Sequence, residues 1–285
     1  MAANMRENYT ANEVLDYLLT LAEVDADTVD KIITGDPGRV VKLLGTCWIP
    51  TMGNLEKAYE AGVNVLITHE PTFYTHRDLY DKKPYYSHAR VERGLAKGES
   101  AYKEMIDWKK NWIDEHGMTI MRCHDVMDVV DGFGMSYALG RALGFGDADI
   151  VAGDKVYKVY KIEPDTAYNV SMRIAKSLKQ FNQGSVQFYG DMDRIVKSVG
   201  IGTGCYCDPI VYMEYSAGYY LAINDAITTW TQTVFSNYSG LPMGVIDHGA
   251  SEEAGMRALC GHLNENSFKC VHIDGGAGYK LIIAP

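Results

Sequence analysis

The sequence repeats one strand–helix–strand pattern, and this repeat constrains the fold more than any other feature. Residues 41–45 align with 196–200, and residues 59–69 align with 215–225, at nearly the same offset. A further apolar run follows in each half and leads to a histidine. Such units pack their helices against a parallel or mixed sheet. The pattern therefore predicts an α/β protein built of two similar halves.

The boundaries of the two halves follow from the repeat. Residues 1–130 together with 250–285 are predicted to form the first half, and 131–249 the second. Apolar runs predict strands at 40–48, 63–68, 118–123, 156–162, 185–189 and 243–247, and helices at 11–22, 53–59, 134–143, 168–178 and 255–263. Residues 71–117 form an insertion with predicted helices at 87–97 and 100–115. Since no low-complexity linker divides the chain, the halves are expected to share an interface.

Charge and hydropathy argue against nucleic acids and membranes as partners. The chain has 285 residues and a formal net charge of −10. An acidic chain without a long basic run would repel a phosphate backbone, which argues against nucleic-acid binding. No apolar run approaches the ~20 residues that cross a bilayer, and residues 1–10 lack the apolar core of a signal peptide. A cytoplasmic protein with six reduced, mostly buried cysteines is expected.

Three histidines with nearby acids stand where predicted strands end. His69 precedes Glu70 directly, whereas His124 and Asp128, like His248 and Glu252, are four residues apart. Four-residue spacing returns a helical side chain to the same side, and Ser251 is expected to cap the helix that carries Glu252. The carboxyl ends of strands are where open α/β sheets place their ligands.

Imidazoles and carboxylates in this pattern predict a site for two divalent metal ions. The set His69, Glu70, His124, Asp128, His248 and Glu252 suits zinc, iron, manganese or nickel. Three acids favour manganese or iron over a purely structural zinc, and carboxylates can bridge ions ~3.5–4 Å apart. The alternative for His69 and Glu70 taken alone is a strand-end histidine beside a solvated acid.

A glycine-rich turn follows the strand that begins at Val196. The backbone amides of Gly202 and Gly204 could hold an anion, although a tight turn that only closes the fold is the favoured alternative. A dinucleotide fingerprint is excluded because Cys207 stands at the third glycine position. Asp225 occupies the place of His69 in the repeat and is expected to be a strand-end turn residue.

The three motifs resemble those of the NIF3-like dinuclear metal-centre proteins, also described as type 2 GTP cyclohydrolase I homologues. The resemblance rests on residues 61–71, 123–128 and 247–252. It implies two similar α/β halves, a two-metal site in the cleft between them and a ring-shaped homo-hexamer. It would make His69, Asp128, His248 and Glu252 ligands, with His124 a ligand or its supporting partner. Glu70 departs from the pattern, because it stands where the family has a second histidine.

The leading functional hypothesis is a dinuclear metal-dependent hydrolase. Its substrate would be a phosphorylated or nucleotide-like small molecule, with Glu70 as a possible general base. The alternative is a non-catalytic metal-binding scaffold or regulatory protein that acts through protein partners. An iron-dependent redox or storage role ranks below both.

Overall fold

The chain folds into two compact units, each with its own sheet. The computed structural model describes residues 6–73, 99–204, 214–224, 229–275 and 282. The first unit comprises Met1–Met127 and Leu259–Gly275, and the second comprises Asp128–Ala258 and Gly276–Pro285. The helix predicted at 87–97 and the positions of Cys207 and Asp225 lie outside the described residues.

The first unit is built on a five-stranded mixed sheet. Its strands are β1 (Ile32–Thr34), β2 (Leu44–Cys47), β3 (Val65–Thr68), β4 (Thr119–Arg122) and β11 (Cys270–His272). They lie in the order β1-β4-β3-β2-β11, with β1 antiparallel to β4 and every other pair parallel. All residues of β2, β3 and β4 are buried, as expected for parallel strands covered on both faces.

In the described part of the first unit, four helices begin. They are α1 (Ala11–Leu19), α2 (Met52–Glu60), α3 (Glu99–Glu115) and α4 (Asp125–Val129). Thr10 caps α1, because its hydroxyl accepts a hydrogen bond from the Glu13 amide. Helix α4 follows β4 after two residues and runs across the boundary into the second unit.

The second unit is built on a six-stranded mixed sheet in the order β5-β6-β8-β9-β10-β7. These strands are β5 (Ile150–Gly153), β6 (Lys158–Thr166), β7 (Gln187–Tyr189), β8 (Ile195–Ile201), β9 (Tyr219–Ile223) and β10 (Met243–Ile246). Among the described residues of this unit, the α-helices are α5 (Met135–Ala142), α6 (Ala167–Ser177), α7 (Thr229–Ser239) and α8 (His248–Glu265), of which α8 continues into the first unit.

The internal repeat appears as the same run of three parallel strands in both sheets. In the first unit β2 pairs with β3 and β3 with β4. In the second unit β8 pairs with β9 and β9 with β10. The prediction of two similar α/β halves is confirmed by these pairings.

The start of α8 differs from the prediction. The helix begins at His248 rather than at Gly255, and Ser251 does not cap it. Asp247 is the cap, because its Oδ1 accepts a hydrogen bond from the Ala250 amide at 3.0 Å. Ser251 already lies in the first turn and donates its hydroxyl to the His248 carbonyl at 2.7 Å. Among the described helices, none combines the length and the apolar character needed to span a bilayer.

Candidate metal centre

The backbone turns sharply where β3 ends. The amides of His69 and Glu70 both donate to the carbonyl of Trp48, at 3.0 and 2.8 Å. The Thr68 hydroxyl donates to the Glu70 carbonyl at 3.1 Å. Two consecutive residues are thereby held at the strand terminus, with His69 fully buried and Glu70 partly exposed. The strand pairing stops here, just before Pro71, which has no amide hydrogen to donate.

His69 and His124 stack on each other at the ends of adjacent strands. Their ring centroids are 4.4 Å apart, and the ring planes differ by 18°. Nδ1 of His69 lies 3.4 Å from the Cys123 carbonyl, which assigns the ring proton to Nδ1. The Nε2 atom of His69 is then the one that can bind a metal ion. A backbone carbonyl that fixes the tautomer in this way is usual for metal-binding histidines.

His124 is oriented by the carboxylate of Asp125. Nδ1 of His124 lies 2.8 Å from Asp125 Oδ1, and Oδ2 accepts hydrogen bonds from the Thr28 hydroxyl at 2.6 Å and the Val29 amide at 3.2 Å. The hydrogen bond from His124, followed by that from Thr28, holds the pKa of Asp125 well below its usual range although burial opposes the shift. The carboxylate therefore stays ionised and directs Nε2 of His124 outward as the ligand atom.

Asp30 fixes the helix that follows His124. Its Oδ1 accepts from the amides of His124 and Asp125, the latter at 3.1 Å, and its Oδ2 accepts from the Val126 amide at 2.8 Å. One carboxylate thus satisfies three amides at the start of α4. Burial raises the pKa of Asp30 and these hydrogen bonds counteract the rise.

Helix α4 brings Asp128 back beside the two histidines. His69, His124 and Asp128 each offer one ligand atom, and these atoms lie within 4.8 Å of one another. Asp128 is only 6% exposed. Two imidazole nitrogens and a carboxylate oxygen form a donor set that suits a divalent transition metal. The residues of this first cluster (His69, His124 and Asp128) therefore fit a bound metal ion.

The second unit contains another pair of candidate ligands at the start of α8. Nε2 of His248 lies 3.0 Å from Oε1 of Glu252, one helical turn later. Glu252 is 1% exposed. An imidazole nitrogen and a carboxylate oxygen are donor types that bind divalent metal ions, so this pair (the second cluster) could supply two ligands of a metal site.

Gly204 lies directly against the second cluster. Its φ is +55°, a left-handed conformation that favours glycine. A Cβ at this position would lie 2.6 Å from Glu252 Oε1 and 3.4 Å from His248 Nε2. The glycine-rich turn predicted from the sequence is thus packed against the candidate ligands, while the binding of an anion by Gly202 and Gly204 stays a prediction.

The chain is similar to known proteins in its three-dimensional structure. No protein-family model matches the chain, and no curated protein matches its sequence. A hypothetical Staphylococcus aureus protein, SA1388, matches with a TM-score of 0.69 at 15% identity, covering 96% of this chain and 99% of that one. A Bacillus cereus protein related to NIF3 matches with a TM-score of 0.69 at 12% identity, covering 98% and 99%.

A third match is reduced HcgD from Methanocaldococcus jannaschii, with a TM-score of 0.64 at 18% identity over 94% of this chain and 98% of that one. The chain has the NIF3 fold. Its structural neighbours are NIF3 superfamily proteins, which confirms the resemblance inferred from the three motifs. At these identities the similarity establishes the fold, and the chemistry has to be argued from the residues of this chain.

Several residues that support the two clusters were not identified from the sequence. Asp30 and Asp125 hold the first cluster, as described above. In the second unit the buried Gln183 accepts a hydrogen bond from the Asp247 amide at 3.2 Å, just before His248. Of these, only Asp125 gives a sequence signal, because an acid directly after a strand-end histidine can orient its ring.

Proposed function

We propose that each of the two clusters contributes ligands to a divalent metal ion and that the protein is a metal-dependent hydrolase. The observation that best supports a metal is the orientation of His69 and His124. Each ring has Nδ1 beside a fixed acceptor, the Cys123 carbonyl or Asp125, so each offers Nε2. The proposed substrate is a phosphorylated or nucleotide-like small molecule.

The ligands divide between the clusters. His69, His124 and Asp128 would hold one ion, and His248 and Glu252 would contribute to the other. Glu70 would supply a further oxygen in place of the family's histidine. When bound, two divalent ions lower the pKa of a water molecule and polarise a substrate oxygen. The mixed nitrogen and oxygen donors suit zinc, iron, manganese or nickel.

The protein groups around the clusters have separate tasks in this reaction. Glu70, partly exposed at its strand-end turn, would accept the proton of the attacking water if it is not itself bound to metal. Asp125 keeps His124 in one tautomer. The backbone amides of Gly202 and Gly204 would bind the anionic group of the substrate beside His248 and Glu252.

The test combines metal analysis with a hydrolysis screen. Purified protein is assayed for metal content and then offered phosphomonoesters, phosphodiesters and nucleotides, with GTP among them. We expect two divalent ions per chain, turnover of at least one substrate class, and loss of that turnover in His248→Ala. The control is His116→Ala, because His116 belongs to neither cluster and stacks on Trp112. Equal activity in His248→Ala and the control would contradict the proposal.

A metal-binding scaffold is the second candidate. The first cluster is almost closed to solvent, with His69 0% and Asp128 6% exposed, and an enclosed ion can serve stability alone. For a scaffold, adding the metal ion to apo-protein would raise the melting temperature while no substrate in the screen turned over. Metal-dependent turnover would exclude this candidate.

We further propose a homo-hexamer, as the resemblance to the NIF3-like proteins implies. Light scattering coupled to size exclusion should then give six times the 31.7 kDa mass of the chain. A monomer under these conditions would contradict the ring.

A further inference from the structure

Two cysteines of the first unit meet away from the candidate ligands. Cys260 lies on α8 and Cys270 begins β11. The side chains of Cys260 and Cys270 interact with each other, and the Cys270 thiol also donates a hydrogen bond to the Val271 carbonyl at 3.8 Å. Both are nearly buried, with 8% and 7% exposure, so a small solute can reach them more readily than a large one.

Asn264 holds the helix and the strand together at this point. Its Nδ2 donates to Cys260 Sγ at 3.6 Å and to the Cys270 carbonyl at 3.0 Å. Its Oδ1 accepts from the Cys270 amide at 3.1 Å. One amide side chain therefore bonds to both cysteines and fixes their separation.

Two polar residues, Thr46 on β2 and His272 on β11, also act on Cys260. The Thr46 hydroxyl lies 3.1 Å from His272 Nδ1 and donates a hydrogen bond to Cys260. Together with the Cys270 thiol, which has the largest effect, these groups lower the pKa of Cys260 to about 7, against the opposing effect of burial. The hydrogen bond to Cys260 and burial raise the pKa of Cys270. One sulfur is thus favoured as thiolate and its neighbour as thiol.

We propose that Cys260 and Cys270 form a reversible dithiol–disulfide pair that is oxidised by a hydroperoxide such as hydrogen peroxide. The Cys260 thiolate attacks the peroxide oxygen, the O–O bond breaks, and water leaves after taking up a proton. The resulting sulfenic acid at Cys260 is attacked by the Cys270 sulfur, which forms the S–S bond and releases a second water. Two thiols and one peroxide give one disulfide and two waters, and an external thiol reverses the reaction.

The first test maps disulfides in the wild-type protein. The full chain is treated with stoichiometric hydrogen peroxide, alkylated and digested under non-reducing conditions. We expect one crosslinked peptide pair joining Cys260 and Cys270, which disappears after treatment with dithiothreitol. Full alkylation of both cysteines after peroxide, or crosslinks of Cys260 only to other cysteines, would overturn the proposal.

Substitutions test the assigned order of attack. In Cys270→Ser, oxidised Cys260 should be trapped as a sulfenic acid by dimedone, whereas Cys260→Ser should give no adduct at Cys270. Cys47→Ser is the matched control, since Cys47 is also buried in the first unit and should leave the crosslink unchanged. In the fully reduced protein, Thr46→Val should shift the pH profile of Cys260 alkylation to higher pH than in the wild type. A dimedone adduct on Cys270 in Cys260→Ser, or an unshifted profile, would contradict the mechanism.

Discussion

At the scale of single residues, the candidate metal centre depends on groups that orient ligands as much as on the ligands. Asp125 holds Nδ1 of His124, and it is itself held by Thr28 and Val29, nearly a hundred positions earlier in the chain. The histidines and acids themselves were predictable, because strand-end position and four-residue spacing are local patterns. The contacts to Thr28 could not be predicted, because no local pattern records which distant residue packs beside a strand end.

Substitution of Asp125 tests this orientation. Asp125→Asn removes the carboxylate that accepts the His124 ring proton, so we expect metal affinity to fall by about 10–100-fold. The measurement is a competition titration with a chromophoric chelator. Asp114→Asn serves as the control, since this exposed carboxylate pairs with Lys110 on α3. Equal affinity in the two variants would show that Asp125 does not support the site.

Gly204 gives a second prediction at this scale. Gly204→Ala places a Cβ 2.6 Å from Glu252 Oε1, so the carboxylate must move away from His248. We expect one metal ion per chain to be lost, in addition to about 1–2 kcal/mol of strain from the left-handed backbone. Gly132→Ala is the matched control, because Gly132 has a φ of +77° and nothing within 4 Å of an added Cβ. If both variants kept the same metal content, the proposed role of the second cluster would be wrong.

At the scale of elements, carboxylate caps decide where the ligand-bearing helices begin. Asp247 sets the first residue of α8 at His248, and Asp30 accepts three amides at the start of α4. From the sequence, the cap of α8 was wrongly predicted to be Ser251 instead of Asp247. Serine and aspartate are both common caps, and these two residues are only four positions apart. The cap from Asp30 comes from a residue preceding β1 and has no local signal.

Removal of the cap by Asp30→Ala should therefore affect both stability and metal binding. Three amides at the start of α4 lose their acceptor, and we expect the unfolding free energy to fall by about 2–3 kcal/mol, with weaker metal binding because α4 carries Asp128. Urea denaturation and the chelator titration measure the two effects. Thr166→Ala removes the cap of α6 and should cost about 1 kcal/mol with unchanged metal affinity. An Asp30 variant that lost no more stability than this control would contradict the account.

At the scale of the whole molecule, the sequence predicted the two similar halves because buried parallel strands leave continuous apolar runs. Both β3 and β9 are buried along their full length; β3 was placed by such a run and β9 by its alignment with β3 in the repeat. The antiparallel strand β6, which pairs with β5 and β8, was harder to place. β6 extends to Thr166 beyond the predicted end, and its last six residues are exposed or half-buried. Because burial weakens along this part of the strand, the periodic signal in the sequence weakens with it.

The core of the second unit predicts how stability responds to alkaline pH. Burial raises the pKa values of Tyr160 and Tyr219, and the hydrogen bond donated to Asp131, followed by burial, raises the pKa of Tyr137 to about 12. The unfolded chain loses these protons near pH 10, before the folded chain does, so the contribution of these tyrosines to folding stability should be fully present below pH 10 and be lost as the pH rises beyond it. Urea midpoints between pH 8 and 11.5 measure the slope. Tyr160→Phe should flatten the decline, whereas Tyr59→Phe, at an exposed position, should keep the wild-type slope. Identical slopes in all three proteins would show that the buried phenol does not carry the effect.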